Sequence, residues 1–165
     1  MLRSALLAAL ALAAAAPSAS AAGWSAAGAL ETPRYEAVAA LLADGSVLVA
    51  GGRPDGRPAL TSAERYDPAT GRWTRAAAEG TARELASAVT LRDGRVLVAG
   101  GEATPFDYLA SADLYDPASD SWTPAAPMHA EHDALATVLL ADGRVLAVGG
   151  YGPTAATGAE VFDPG

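Results

Sequence analysis

The sequence has no cysteine and no lysine, only two histidines, and few aromatic residues, 6% of the chain. Without cysteine there can be no disulfide and no lipid-modified thiol, so stability has to come from packing. All 11 basic residues are arginine, against 19 acidic ones, which leaves a net charge of −8 and a pI near 4.6. That balance argues against a nucleic-acid backbone or an anionic membrane surface as partner. Long apolar runs are also missing beyond the first few residues: no later segment approaches the ~20 apolar residues that a spanning helix needs.

What is present is globular in character, with 51% apolar and 18% charged residues over 165 positions, a length that suits one domain with a real core. The opening stretch carries Arg3, an apolar run from Ala5 to Ala16, and the small residues Ala19-Ser20-Ala21. This pattern predicts a secretory signal peptide over residues 1–21, cleaved near Ala21, and hence an exported protein, secreted or periplasmic.

The dominant signal is an internal repeat. Leu41 to Gly52 (LLADGSVLVAGG), Thr90 to Gly101 (TLRDGRVLVAGG) and Leu139 to Gly150 (LLADGRVLAVGG) align with a spacing of 49 residues. Asp67-Pro68, Asp116-Pro117 and Asp163-Pro164 keep step, as do Trp24, Trp73 and Trp122. Self-similarity at such a period means stacked supersecondary units, none of which can bury its apolar face alone.

Each period holds four strand signals. In the first, a small apolar run from Glu36 to Leu42 leads to an Asp44-Gly45 hairpin turn, where glycine supplies the positive φ. Val47 to Ala50 reads as a strand buried on both faces and ends at Gly51-Gly52. Ala63 to Tyr66 follows, then a turn at Asp67-Pro68 and a short polar strand at Trp73 to Arg75. Apolarity falls from the first two strands to the fourth, as expected of a sheet running from a crowded interior to a wet rim. The prediction is all-β: three four-stranded antiparallel blades over residues 22–165, with repeats at about 24–72, 73–121 and 122–165.

These residues resemble the kelch-repeat β-propeller family. The marks are the diglycines Gly51-Gly52, Gly100-Gly101 and Gly149-Gly150, the aromatics Tyr66, Tyr115 and Phe162 before Asp-Pro, and the tryptophans Trp24, Trp73 and Trp122. The resemblance implies that the glycines let strands approach closely and that the aromatics pack between blades, all structural roles. It also implies a ring of six or seven blades, so three would be part of a larger ring. Gly23-Trp24-Ser25 reads as a fourth-strand segment, whereas the last period reaches Gly165 before a fourth strand of its own. Two arrangements fit: a piece of a longer propeller, or a homodimer of six blades in which each Trp24 strand completes the other copy's last blade.

The tight Asp-Gly and Asp-Pro turns fall at one end of such blades. The variable loops fall at the other: Arg53 to Thr61, Glu102 to Ala110 and Tyr151 to Thr157. Ten residues after each tryptophan stand Arg34, Arg83 and His132, which the resemblance places near the central mouth. With Arg53, Arg57, Tyr108 and Tyr151 they are the candidate ligand-binding residues, a partly cationic rim for an acidic or glycan ligand. The competing reading has each arginine pairing with a nearby carboxylate such as Glu36 or Glu84. His129-Ala130-Glu131-His132-Asp133 is the one cluster with ligand-like chemistry, but four metal ligands would have to come from one loop, so neither a metal nor a cofactor is expected.

No catalytic constellation stands out, which favours a noncatalytic binding module for a protein or carbohydrate. The alternative is an N-terminal fragment of a larger propeller enzyme, since the blade pattern also resembles the central domain of galactose-oxidase-like proteins. Those copper enzymes use a Tyr–Cys crosslink, which a chain without cysteine cannot make, so the active site would lie outside this chain.

Overall fold

The computed structural model describes residues 23–153 and 158–165; the signal peptide expected over 1–21 lies outside the described residues. Eleven strands are seen there and no helix. The first sheet is a meander of β1 (Val38–Leu41), β2 (Val47–Ala50), β3 (Ala63–Asp67) and β4 (Arg72–Ala76). The second repeats it with β5 (Ser87–Thr90), β6 (Val96–Ala99), β7 (Ala112–Asp116) and β8 (Ser121–Pro124). The third has β9 (Ala136–Leu139), β10 (Val145–Val148) and β11 (Ala159–Phe162). All pairings are antiparallel.

The third sheet has three strands, and no described segment pairs with the outer edge of β11. One expectation is corrected: the Gly23-Trp24-Ser25 segment, expected as a fourth strand, is in no strand.

The turns follow from their side chains. Asp44 accepts hydrogen bonds from the Ser46 N–H (3.0 Å) and hydroxyl (2.6 Å), and Gly45 takes a φ of +84° between them. Asp67 does the same for the Ala69 N–H (2.8 Å) and the Thr70 hydroxyl (2.7 Å), pinning the third strand to the fourth.

Period-two alternation decides which side chains meet between blades. Val38, Ala40, Leu48, Ala50 and Ala63 of the first blade form one core with Val96, Val98 and Tyr115 of the second. Leu91, Leu97, Ala99, Ala112 and Leu114 of the second blade form another with Val145 of the third. The predicted two-sided burial therefore holds for β6, all four of whose residues are buried. β2 and β10 are well covered on one face only, since among the described residues the first and third blades each pack against one other blade.

Candidate functional site

At the inner end of each blade the chain passes through a left-handed residue, Glu36, Leu85 or Ala134, with φ of 60°, 55° and 48°. The strain is offset by hydrogen bonds between blades: the Leu85 N–H donates to the Glu36 carbonyl (3.0 Å) and the Ala134 N–H to the Leu85 carbonyl (2.7 Å). The diglycines close the same region. A Cβ on Gly51 or Gly100 would run into the carbonyl of Arg83 or His132 from the next link, at positions where φ is already positive.

The three registered residues are latches rather than rim groups. Arg34 has a side chain 1% exposed; it donates to the carbonyls of Gly51 (2.8 Å) and Ser62 (2.7 Å) and pairs with Glu64 at 3.0 Å. Arg83 is equally buried, donating to the carbonyls of Gly100 (2.7 Å) and Ser111 (3.1 Å) and pairing with Asp113 and Glu79. His132 presents Nδ1 to the Gly149 carbonyl at 2.8 Å, with Nε2 3.7 Å from Glu160. The arginines do pair with carboxylates: Arg34 with Glu64 on the third strand of its blade, Arg83 with Asp113 on the third strand and Glu79 on the link, and Arg53 with Glu36 and Glu84. With the donors of Arg34 and Arg83 turned into the sheet, neither of these two guanidiniums reaches the mouth.

The carboxylates of these latches differ in a way that side-chain length explains. Glu64 reaches the N–H groups of Glu31 (2.7 Å) and Thr32 (3.0 Å), and Glu160 likewise reaches those of His129 (2.8 Å) and Ala130 (2.9 Å). Burial pushes both carboxyls up, but these donors, with Arg34 or the His129 ring, outweigh it and hold both below the usual range. Asp113 is one methylene shorter, and Glu79 enters from the link to share Arg83. Two acids then face one guanidinium. Burial, reinforced by Asp113 and opposed by Arg83, pushes Glu79 up to about 7.

The mouth itself is acidic. Short backbone bridges join Tyr35 to Arg53, Glu84 to Glu102, and Asp133 to Tyr151. Arg53 lies over the Tyr35 ring at 5.4 Å and sends Nε to Glu84 (2.8 Å) and Glu36 (3.1 Å). Burial, opposed by Arg53 and aided by Glu36 and Glu102, pushes Glu84 up to about 7; burial and Glu102 also raise Asp133. Of the expected rim, only Arg53 stands in the mouth as a cation.

Outside the mouth, a groove of about 300 Å³ separates two variable loops, lined by Arg53, Arg57, Pro58, Glu84, Thr104 and Pro105. Tyr108 is half-buried behind it, bridged through its backbone to Glu102, while Tyr151 is exposed on the third blade. The third loop is described only through Pro153 and from Gly158. The second loop, Glu102 to Ala110, carries a residue that sequence reasoning missed. Phe106 is 83% exposed with a φ of 69°, held out by the Asp107 N–H on the Thr104 carbonyl (2.8 Å) and by its own N–H on Glu102 (3.0 Å). An aromatic in a polar loop, after proline, in a chain with two phenylalanines was the available signal.

His129 pairs with Glu160 at 2.7 Å while His132 is buried in its latch, so the 129–133 cluster does not converge. Among the described residues no group of three or more histidine, aspartate and glutamate side chains is placed to hold a metal ion.

The blades, diglycines and paired aromatics now stand together with Tyr66–Trp73 and Tyr115–Trp122 at ring distances of 5.0 Å. The profile of the kelch motif matches residues 36–78 and 86–129, more than half of the chain. This chain belongs to the kelch-motif family. The matched spans cover the first two blades, the four-stranded ones, each from its left-handed inner residue or just beyond it to the link after the outer strand. No curated protein matches the chain. Kelch repeats are commonly protein-interaction modules, usually without catalytic activity, and the loop end is where this one differs between repeats.

Proposed function

We propose that this kelch protein is an exported, noncatalytic docking module whose loop end receives a protein partner. The observation that carries the reading is Phe106, a bulky side chain held in a strained left-handed conformation and presented to solvent beside the groove of Arg53, Arg57 and Pro58. A left-handed phenylalanine costs on the order of 1–3 kcal/mol, and such strain persists where surrounding hydrogen bonds over-determine it, as at ligand clamps. Aromatic and arginine side chains over a rigid sheet are the groups that dominate protein interfaces, which favours a protein over a carbohydrate. The opposite end offers repeated Asp-Gly and Asp-Pro turns with little variety.

Export is supported by Arg3, the apolar run and Ala19-Ser20-Ala21. Among the described residues no helix is long and apolar enough to cross a membrane. A second copy of the chain is the other partner on this reading, supported by the outer faces of the first and third blades, against which no further blade packs among the described residues.

The docking reading is tested with a Phe106→Ser, Arg57→Glu variant against an Arg144→Ala control on the turn end, each as bait in the medium and envelope fraction of the host. Loss of the wild-type partner by the loop variant alone is expected. Equal capture by both variants contradicts a loop-end site.

A further inference from the structure

The three latches share a register but not a chemistry. In the first two blades a guanidinium, charged at every working pH, donates to two carbonyls: Gly51 and Ser62 for Arg34, Gly100 and Ser111 for Arg83. Each such pair ties the end of the second strand to the residue before the third. The third blade has His132 at that register, and its ring reaches one carbonyl, that of Gly149. Gly158, which precedes β11 as Ser62 and Ser111 precede β3 and β7, takes no hydrogen bond from the ring. The backbone bond between the same two strands is also longest here. It measures 3.2 Å from the Gly51 N–H to the Ser62 carbonyl, 3.0 Å from Gly100 to Ser111, and 3.4 Å from Gly149 to Gly158.

The Gly149 carbonyl can only accept, so the His132 Nδ1 facing it at 2.8 Å carries a proton. A neutral imidazole then has a bare lone pair on Nε2, and that nitrogen lies 3.7 Å from Oε1 of Glu160. Glu160 is held ionised by the donors around it: the N–H groups of His129 and Ala130 reach Oε1 at 3.0 and 2.9 Å, and the His129 ring reaches Oε2 at 2.7 Å. A neutral His132 therefore turns a lone pair toward a carboxylate, whereas an imidazolium turns an N–H toward it. The other ionisable groups around the ring are on its own link, where His129 is taken up by Glu160 and the Asp133 carboxylate accepts the Tyr151 N–H at 3.2 Å. The second blade meets His132 through backbone alone, the Leu109 carbonyl and the Gly101 N–H, and residues 154–157 carry no ionisable side chain. Within 4 Å of the ring nitrogens, Glu160 is the one carboxylate among the described residues.

We propose that His132 is a proton-operated latch: protonated, it clamps β10 to Glu160 on β11 as the arginines clamp their strands, and neutral, it releases the β11 half and holds Gly149 alone. Imidazole is the side chain whose charge ordinarily changes between about pH 5 and 8, so this latch responds where a guanidinium does not. Burial of the ring penalises the charged form, and the ionised Glu160 beside it offsets that penalty. The latch also sets the start of the third variable loop. Asp133 and Tyr151 exchange backbone hydrogen bonds of 2.9 Å each, and a Cβ on Gly150 would run into the Asp133 carbonyl, so the link that carries His132 is bound to the residues from which exposed Tyr151 projects. Acid thus firms the third-blade side of the loop end and mild alkali loosens it. That this regulates docking rests on the loop-end reading above; the latch itself does not.

The test is amide hydrogen exchange of the purified chain from about pH 5.5 to about 7.5, corrected for the intrinsic pH dependence of exchange, in wild type and in His132→Arg, His132→Gln and His129→Ala variants. Beyond any change shared with β6 and β7, protection of β10, β11 and Tyr151 is expected to fall about 10-fold or more over that range, the effect of one hydrogen bond to a charged group. The same fall is expected in His129→Ala, which keeps the operating ring. In His132→Arg the third blade is expected to follow the second at every pH, and His132→Gln gives the same reading if the longer side chain does not fit. A wild-type third blade that already follows the second overturns the latch. So does a response that persists without His132 or disappears with His129. No partner takes part in the measurement, so the latch and the docking reading fail independently.

Discussion

At the scale of single residues the account turns on buried charge. Arg83 serves Asp113 and Glu79 at once, so Arg83→Met would leave two buried acids facing each other. A loss of about 3–5 kcal/mol is expected, as for a broken buried pair, measurable by urea denaturation at pH 7. Glu79 is the surplus acid. Its folded-state value of about 7 lies above its ordinary 4.5, and so does that of Glu84. Each takes up a proton on folding between those values, so the stability they contribute is present below pH 4.5 and is lost as pH rises through 7. Glu64 and Glu160 act in the opposite sense, being held below 4.5, and their contribution is lost as pH falls through their folded values. Stability should therefore peak where the two regimes meet, near the ordinary value of 4.5, and fall as pH rises from there through 7. Glu79→Gln should stabilise the fold by about 1–2 kcal/mol at pH 8 and leave it little changed at pH 5. Thermal unfolding of both proteins across pH 4–9 checks this; parallel curves would contradict it.

At the scale of the element, the strands were legible because side-chain period and turn chemistry agree. Asp-Gly, diglycine and Asp-Pro bracket each run, and the observed β2 and the start of β3 coincide with the residues read as strands. The latches were legible only in part. The registered Arg34, Arg83 and His132 stand out in the sequence, but their partners were sought among close neighbours, Glu36 and Glu84. Glu79, four residues before Arg83, is one true partner, and the others lie about 30 residues on. A signal existed in Glu64, Asp113 and Glu160, each two residues before the aromatic of the third strand, which is an odd place for an acid on a strand that packs inward. What no pattern could show is that the guanidinium turns into the sheet, since that depends on blade curvature and on a diglycine backbone close enough to accept its hydrogen bonds. Gly100→Ala probes that closeness. With φ at +68° and the His132 carbonyl in the way, it should cost about 2 kcal/mol or more. A Gly71→Ala control also sits at positive φ but meets no atom within 4 Å, and it should cost less.

At the scale of the whole molecule, the parts that repeat and the parts that vary do different work. Repeated turns, latches and paired aromatics are shared by the blades and hold them in register, while loops 53–61 and 102–110 share little and carry the exposed aromatic. The mouth between them is acidic rather than cationic, so a partner with basic or apolar side chains suits it better than the acidic ligand the sequence suggested. The central claim is that the loop end is the docking end. Its most direct test places a photo-crosslinking amino acid at Phe106 in one protein and at Arg92, on the turn end, in another, and irradiates both in the extracellular and envelope milieu of the host. Adducts of one defined mass from position 106 and none from position 92 are predicted. Adducts from position 92 alone, or the same adducts from both, would contradict the claim.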